Sequence, residues 1–245
     1  MTTVAADRTT TPVVDQIEEL VADVPGWTPI DQLYTLFQLA YSTAHLPGDI
    51  VEIGSWCGRS GLALGAAARL TGAGKVHCVD LFPEKDDWIE NPDGSYSFRV
   101  TIDGQTHHGY KTHTCWREPF ERDIVPLYRR NHSLLDLFQT NTAKHRLQDL
   151  IVPHRGNSET FARSVPDTFR CRLVFLDGDH SYESVCDDID NLERFLVPGG
   201  WICFDDAFSY YDGVNRAIED RILSNPRFEQ GQQMTRKLFV ARKKS

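Results

Sequence analysis

The sequence predicts a doubly wound α/β domain, and three observations carry that prediction. Short apolar runs ending in carboxylates recur, as in Leu173-Val174-Phe175-Leu176-Asp177 and Trp201-Ile202-Cys203-Phe204-Asp205-Asp206. Stretches long enough for helices separate such runs, and a glycine-rich turn follows the first of them. Runs this short, bounded by Gly, Pro and Asp, read as buried parallel strands. The C-terminal ends of such strands open onto the ligand crevice of a parallel sheet.

The elements follow in order. Residues 1–12, rich in Thr and Ala, are expected to be disordered or loosely attached. Helical spacing covers 13–23 and 29–45, the second with Leu33, Leu36, Phe37, Ala40 and Tyr41 on one face. Asp49-Ile50-Val51-Glu52-Ile53 is a strand that runs into Gly54-Ser55-Trp56-Cys57-Gly58-Arg59-Ser60-Gly61. An Ala- and Leu-rich helix over 60–70, closed by Gly72 and Gly74, leads to a second strand, Val76–Val79, ending at Asp80. That is one βαβ unit.

From about 83 to 132 the rhythm breaks, with no period long enough to extend the sheet. Ser97 to Gln105 alternates into Asp103-Gly104, a tight hairpin turn. The segment reads as a lid-like insertion over the sheet's C-terminal edge, with Trp88, Tyr96, Tyr110 and Trp116 placed to stack on an acceptor. Alternation then resumes: helix 133–147, strand 150–154, a short helix after Ser158, the first acidic strand, and a helix over 182–195 closed by Pro198-Gly199-Gly200. After the second acidic strand come a helix over 213–223 and strands near 227–232 and 236–241. Residues 13–245 form a single domain in this account, with N-terminal helices over 13–47 that supply either a lid or a homo-oligomer contact.

Bulk properties narrow the partners. A length of 245 residues fits one large α/β domain, and 40% hydrophobic content is ordinary for a globular chain. The net charge of −9 argues against nucleic acid or an anionic membrane as the main partner. No apolar stretch reaches membrane-span length, and the N-terminus lacks a signal-peptide core. Six scattered cysteines show no paired metal spacing, so reduced thiols in a cytoplasm are expected.

Two features carry chemistry. Asp177, Asp205 and Asp206, delivered to one crevice by two strands, make a dense negative site that suits a hard cation such as Mg²⁺, Ca²⁺ or Mn²⁺; each is alternatively a cap for the following helix. The glycine turn lets backbone approach a ligand and favours an anionic group at the helix N-terminus. Asp80 is placed to accept hydrogen bonds from ribose hydroxyls, so a nucleoside-bearing cofactor is expected. Neither a G-x-G-x-x-G spacing nor a P-loop lysine is present, which turns the expectation away from nicotinamide and nucleotide triphosphates. His107, His108, His113 and Cys115 match no common zinc spacing, and the acidic run Asp187, Asp188, Asp190 and Glu193 reads as a solvated helix face.

Val51-Glu52-Ile53-Gly54-Ser55-Trp56-Cys57-Gly58-Arg59-Ser60 resembles the first motif of class I S-adenosylmethionine-dependent methyltransferases, especially the catechol O-methyltransferase-like branch. Asp177 with Asp205-Asp206 resembles that branch's metal triad, and Asp177-Gly178-Asp179-His180-Ser181-Tyr182 is similar to bacterial O-methyltransferases of sugars and macrolides. The resemblance covers roughly 48–82 and 133–241. It implies a Rossmann-like seven-stranded sheet and a donor site of Glu52, Gly54, Trp56, Gly58 and Ser60, in which Ser60 and the Trp56 backbone hold the methionine carboxylate and Glu52 alternatively only accepts backbone hydrogen bonds near the loop. Asp80 would bind ribose, Ser158 and Glu159 adenine, and Asp177 would border the cofactor while joining Asp205 and Asp206 around Mg²⁺ or Mn²⁺. The family often has Glu where Asp80 stands, and Ser158 is equally an N-cap. His180 is implied as the base that takes a proton from an acceptor hydroxyl, or else as an orienting residue. The implied activity is O-methylation of a small natural product, sugar or catechol; the rivals are N-methylation, a metal-independent O-methyltransferase, and a non-catalytic adenosyl-ligand binder.

Overall fold

The computed structural model describes residues 13–110 and 115–244; the N-terminal stretch 1–12 and His113 lie outside the described residues. Helices α1 (Val13–Val21) and α2 (Ile30–Ser42) precede strand β1 (Asp49–Ile53), helix α3 (Arg59–Thr71) and strand β2 (Val76–Asp80). The insertion supplies β3 (Trp88–Glu90), β4 (Ser95–Ile102), β5 (Gln105–Gly109), β6 (Cys115–Trp116) and a helical run opening with α4 (Arg117–Pro119). Then follow α5 (Leu134–Lys144), β7 (Ile151–Arg155), α6 (Ser158–Ser164), β8 (Cys171–Leu176), α7 (Tyr182–Leu192), β9 (Leu196–Phe204), α8 (Asp212–Ile218), β10 (Phe228–Gln233) and β11 (Phe239–Lys243).

The main sheet has seven strands in the order β10-β11-β9-β8-β1-β2-β7. All neighbours are parallel except β11, which runs antiparallel to both β9 and β10. The chain starts in the middle at β1, winds to β7 on one side and then crosses to β8, so the switch point lies between β1 and β8. Period-two alternation buries both faces. Leu173 and Phe175 of β8 join one core with α1, α2, α3 and α5, while Val174 and Leu176 join the other with α6, α7 and α8.

Two boundaries differ from expectation. Pro198-Gly199-Gly200 lies inside β9 rather than after a helix, because α7 ends at Leu192 and a 3₁₀ turn over Glu193–Phe195 delivers the chain to the strand early. The insertion is not irregular: β4 pairs with β3, β5 and β6 in a separate antiparallel sheet, and Asp103 and Gly104 form its hairpin turn with φ of 51° and 79°. Trp88 and Tyr96 were expected to face an acceptor. Instead they form this sheet's own core, with Trp88 5.0 Å from Phe98 and Tyr96 stacked 3.8 Å from Phe120 (ring centroids), while Trp116 is exposed. Trp88 Nε1 donates to the Tyr128 hydroxyl, which donates to the Pro83 carbonyl and so ties the insertion to the main body.

All six cysteines are free and buried. Among the described residues no helix is long and apolar enough to cross a membrane.

Candidate active site

The site forms where β1, β8 and β9 end side by side. Asp177 N–H donates to the Ile53 carbonyl and Asp205 N–H to the Leu176 carbonyl, extending the ladder to the acidic residues. Gly54 must be glycine: at φ +86° a Cβ would stand 2.0 Å from the Asp177 carbonyl oxygen. The cofactor-type loop and the acidic strand end are therefore pressed together by backbone. Gly58 caps α3 in the left-handed region, φ +88°, with no room beyond the Phe138 ring.

Asp80 braces that loop from the next strand. Its Oδ2 accepts the Trp56 N–H at 2.9 Å and its Oδ1 accepts the Phe82 N–H at 2.7 Å. Both bonded residues are non-glycines in the left-handed region, with φ of 46° and 45°. Burial pushes the Asp80 carboxyl above its ordinary value, and these amides oppose the shift. Arg59 fixes the other side, donating to the carbonyls of Val21 (2.7 Å), Val24 (3.0 Å) and Thr28 (3.0 Å). That clamp sets Trp27 beside Trp56, ring centroids 5.5 Å apart.

Three expected ligand contacts are placed otherwise. Glu52 has no accessible surface; it lies under the loop beside Ser55, Ser60 and Cys78, and burial raises its pKa. Ser158 is neither cap nor open contact. Asn157 caps α6 through the Thr160 N–H, and the buried Ser158 hydroxyl takes a hydrogen bond from Asn191 Nδ2 at 3.1 Å. Glu159 pairs with Arg163 along α6. Asp188 also departs from the solvated face assigned to it: it is buried, and burial raises its carboxyl to about 7.

The acids do converge, around an ammonium. Lys237, in the turn between β10 and β11, stands 2.9 Å from Asp205 Oδ2 and 3.3 Å from Asp206 Oδ1. Buried Gln32 of α2 donates to Asp205 Oδ1 at 2.6 Å. His180 Nε2 lies 3.2 Å from Asp206 Oδ2, and its ring stacks on Tyr211 at 4.1 Å and 15°. Burial and the facing Asp205 carboxylate push Asp177 well above its ordinary pKa. For Asp206, burial acts upward but His180 and Lys237 outweigh it and hold the carboxyl low. Lys237 in turn is kept charged: burial lowers its pKa, and Asp205, Asp177 and Asp206 raise it further.

These positions do not fit the expected Mg²⁺ or Mn²⁺ triad. The place an ion would take between Asp205 and Asp206 is held by the Lys237 ammonium, a like charge, and Gln32 donates to the remaining Asp205 oxygen. Among the described residues no three His, Cys, Asp or Glu side chains converge as a metal cage, which also leaves His107, His108 and Cys115 without one. The helix-cap alternative fails too, since Ser181 caps α7 and the acids face Lys237 and Gln32.

Sequence reasoning missed Lys237, Gln32 and Tyr211. A cleft of about 340 Å³ opens beside His180 and Tyr211, lined also by Tyr182, Tyr210 and Arg216. On the insertion side, burial raises the Tyr110 phenol, with smaller contributions from Cys115, Asp80 and Asp177, which sets this residue within the electrostatic reach of the crevice.

A central β1 with a glycine turn, strand order reversing beside it, and one antiparallel strand next to β9 define a class I methyltransferase fold. Residues 51–207 match the family model described as Methyltransferase domain, and the chain belongs to that family. A relative from Streptomyces olivaceus, 8-demethyl-8-(2,3-dimethoxy-alpha-L-rhamnosyl)-tetracenomycin-C 4'-O-methyltransferase, is 30% identical over 182 residues, 71% of this chain and 58% of that protein. The chain thus spans little more than half the length of that relative. Among solved structures, the O-methyltransferase NovP aligns with a TM-score of 0.60 at 21% identity, over 88% of this chain and 81% of its own. CalS11, a TDP-rhamnose 3'-O-methyltransferase, aligns at 0.54 and 14% identity, over 99% of this chain and 96% of its own. TomG from Streptomyces achromogenes, in complex with SAM, aligns at 0.55 and 13%, over 97% and 92%. At these identities the structures speak for the fold.

Proposed function

We propose that this chain transfers the methyl group of S-adenosylmethionine to a hydroxyl of a sugar-bearing natural product. The observation that carries the proposal is the His180–Asp206 pair, set three residues beyond Asp177 where the glycine loop meets β8. The loop backbone at Gly54, Trp56 and Gly58, with Ser60 at the start of α3, takes the methionine end. Asp80 takes the ribose, and the β7–α6 turn before Ser158 and Glu159 borders the adenine. Asp177 lies next to the sulfonium.

Chemistry at the acceptor then needs a base and alignment. His180 Nε2 stands 3.2 Å from Asp206 Oδ2, close enough for the carboxylate to orient the ring and stabilise the imidazolium that forms. The acceptor oxygen attacks the methyl carbon in line with sulfur; the O–C bond forms as the C–S bond breaks. The hydroxyl proton passes to His180, and the sulfur leaves with the electron pair as S-adenosylhomocysteine. The tyrosine-lined cleft beside His180 is of a size for one sugar ring and offers aromatic faces to it. The base in this reaction is His180 and not a metal-bound oxygen, since Lys237 pairs with both Asp205 and Asp206 and Gln32 donates to Asp205, the acids that were expected to hold Mg²⁺.

Calorimetry should detect S-adenosylhomocysteine binding, and mass spectrometry should find a gain of one methyl group on rhamnosylated aromatic polyketides. His180→Ala should keep donor binding while slowing transfer by about 10²–10⁴. Absence of binding by either adenosyl ligand would end the methyltransferase proposal.

A further inference from the structure

Among the described residues Lys237 is the one whose ion pairs reach both members of the Asp205-Asp206 pair, and its place is built rather than incidental. The turn carrying it is pinned by backbone: Ala207 N–H donates to the Lys237 carbonyl at 2.9 Å, and Met234 N–H to the Leu238 carbonyl at 2.8 Å. Antiparallel pairing of Phe239 with Phe204 fixes the register that delivers the side chain to the end of β9. The opposite wall is equally constrained. Asp206 and Phe208 hold left-handed φ angles of 52° and 53°, secured by Ser209 Oγ donating to the Asp206 carbonyl and by Phe208 N–H donating to Asn215 Oδ1. Strained residues persist only where the surroundings over-determine them.

Each carboxylate oxygen of the pair has a polar neighbour. Asp205 Oδ1 faces Gln32 Nε2, Asp205 Oδ2 and Asp206 Oδ1 share Lys237 Nζ, and Asp206 Oδ2 faces His180 Nε2. The Asp205 side chain is only 3% exposed, so an unpaired carboxylate there would be costly. An ordinary surface lysine would not leave solvent to satisfy that need; this one is 21% exposed, with its ammonium turned inward.

We propose that Lys237 is the resident cation of this acidic site, a positioning residue that takes the charge-balancing place of a divalent metal. The inference rests on the methyl-transfer proposal above and deepens it. One ammonium carries one charge and no open coordination positions, so it cannot chelate two acceptor oxygens or acidify a hydroxyl as a divalent ion does. Proton removal then falls on His180, which Lys237 orients through Asp206. An acceptor with one isolated hydroxyl should serve as well as a vicinal diol.

The test uses the full-length protein stripped with chelator and titrated with Mn²⁺ alone, read by electron paramagnetic resonance. The parent should leave the free Mn²⁺ signal undiminished at millimolar metal, whereas Lys237→Met, which keeps the stem and removes the charge, should take up Mn²⁺. Lys237→Arg keeps the charge and should stay blind to Mn²⁺ like the parent. Stoichiometric Mn²⁺ uptake by the parent overturns the inference, as does a folded Lys237→Met that ignores the metal. Turnover that chelation abolishes and Mg²⁺ restores overturns it too. If Lys237→Met does not fold, the parent titration decides alone. Calorimetry with S-adenosylhomocysteine on the stripped parent separates the two levels: binding of both Mn²⁺ and that ligand sinks only the resident-cation inference. Failure of the ligand to bind sinks the methyltransferase proposal itself.

Discussion

Replacing Asp80 by Ala removes one carboxylate that serves two amides, those of Trp56 and Phe82. Hydrogen bonds to a charged group contribute about 1.5–3 kcal/mol each, so the gross loss is about 3–6 kcal/mol. Two effects reduce it. The buried charge itself opposes folding, and the freed residues relax from left-handed conformations that cost about 1–2 kcal/mol apiece. A net destabilisation of about 1–2 kcal/mol is expected, read as a fall in the urea midpoint followed by tryptophan fluorescence, with an unchanged slope. Asp80→Asn retains one acceptor oxygen and should lose about half as much. S-adenosylmethionine affinity, measured by calorimetry below the unfolding range, should fall in both variants because the loop proposed to hold the donor loses its brace. An Asp80→Ala protein with the parent's urea midpoint would refute the bracing role, whatever happens to cofactor affinity.

Two further outcomes follow from burial at the same strand ends. Gly54→Ala forces a Cβ to 2.0 Å from the Asp177 carbonyl oxygen, so a loss above about 4 kcal/mol is expected; a thermal melt matching the parent would show that β1 and β8 are not locked there. Asp188 has a folded pKa of about 7 against an ordinary 3.8. A raised carboxyl lends stability that is full below 3.8 and is lost as pH climbs through 7, a change of at most about 4 kcal/mol. Asp188→Asn should flatten the melting temperature between pH 4 and 8 relative to the parent, and equal slopes in the two proteins would remove Asp188 as the cause.

Much of the core was legible from residue order. The first βαβ unit, the acidic strand ends and the meeting of Asp177, Asp205, Asp206 and His180 all rest on short-range signals: apolar runs, glycine turns, and the rule that parallel strands end on one crevice. The insertion was less legible because β3, β4 and β6 pair across irregular turns, and its aromatic side chains serve a core that exists only once those strands meet. Asp188 was misplaced for a related reason. It stands in an acidic run with Asp187 and Asp190, and only the packing of α6 and the sheet against that helix shows which acid is buried.

What the sequence determined alone, then, was the element order outside the insertion, the glycine loop after β1 and the acids at the strand ends, since each is written in a local period or turn. What the tertiary structure decided was the cation among those acids. Lys237 sits in a polar turn, Gln-Gln-Met-Thr-Arg-Lys, that carries no periodic signal, and Gln32 lies on a helix that precedes the sheet. They meet at Asp205 because β11 runs antiparallel to β9 and α2 packs across the sheet, and such long-range register leaves no mark on neighbouring residues.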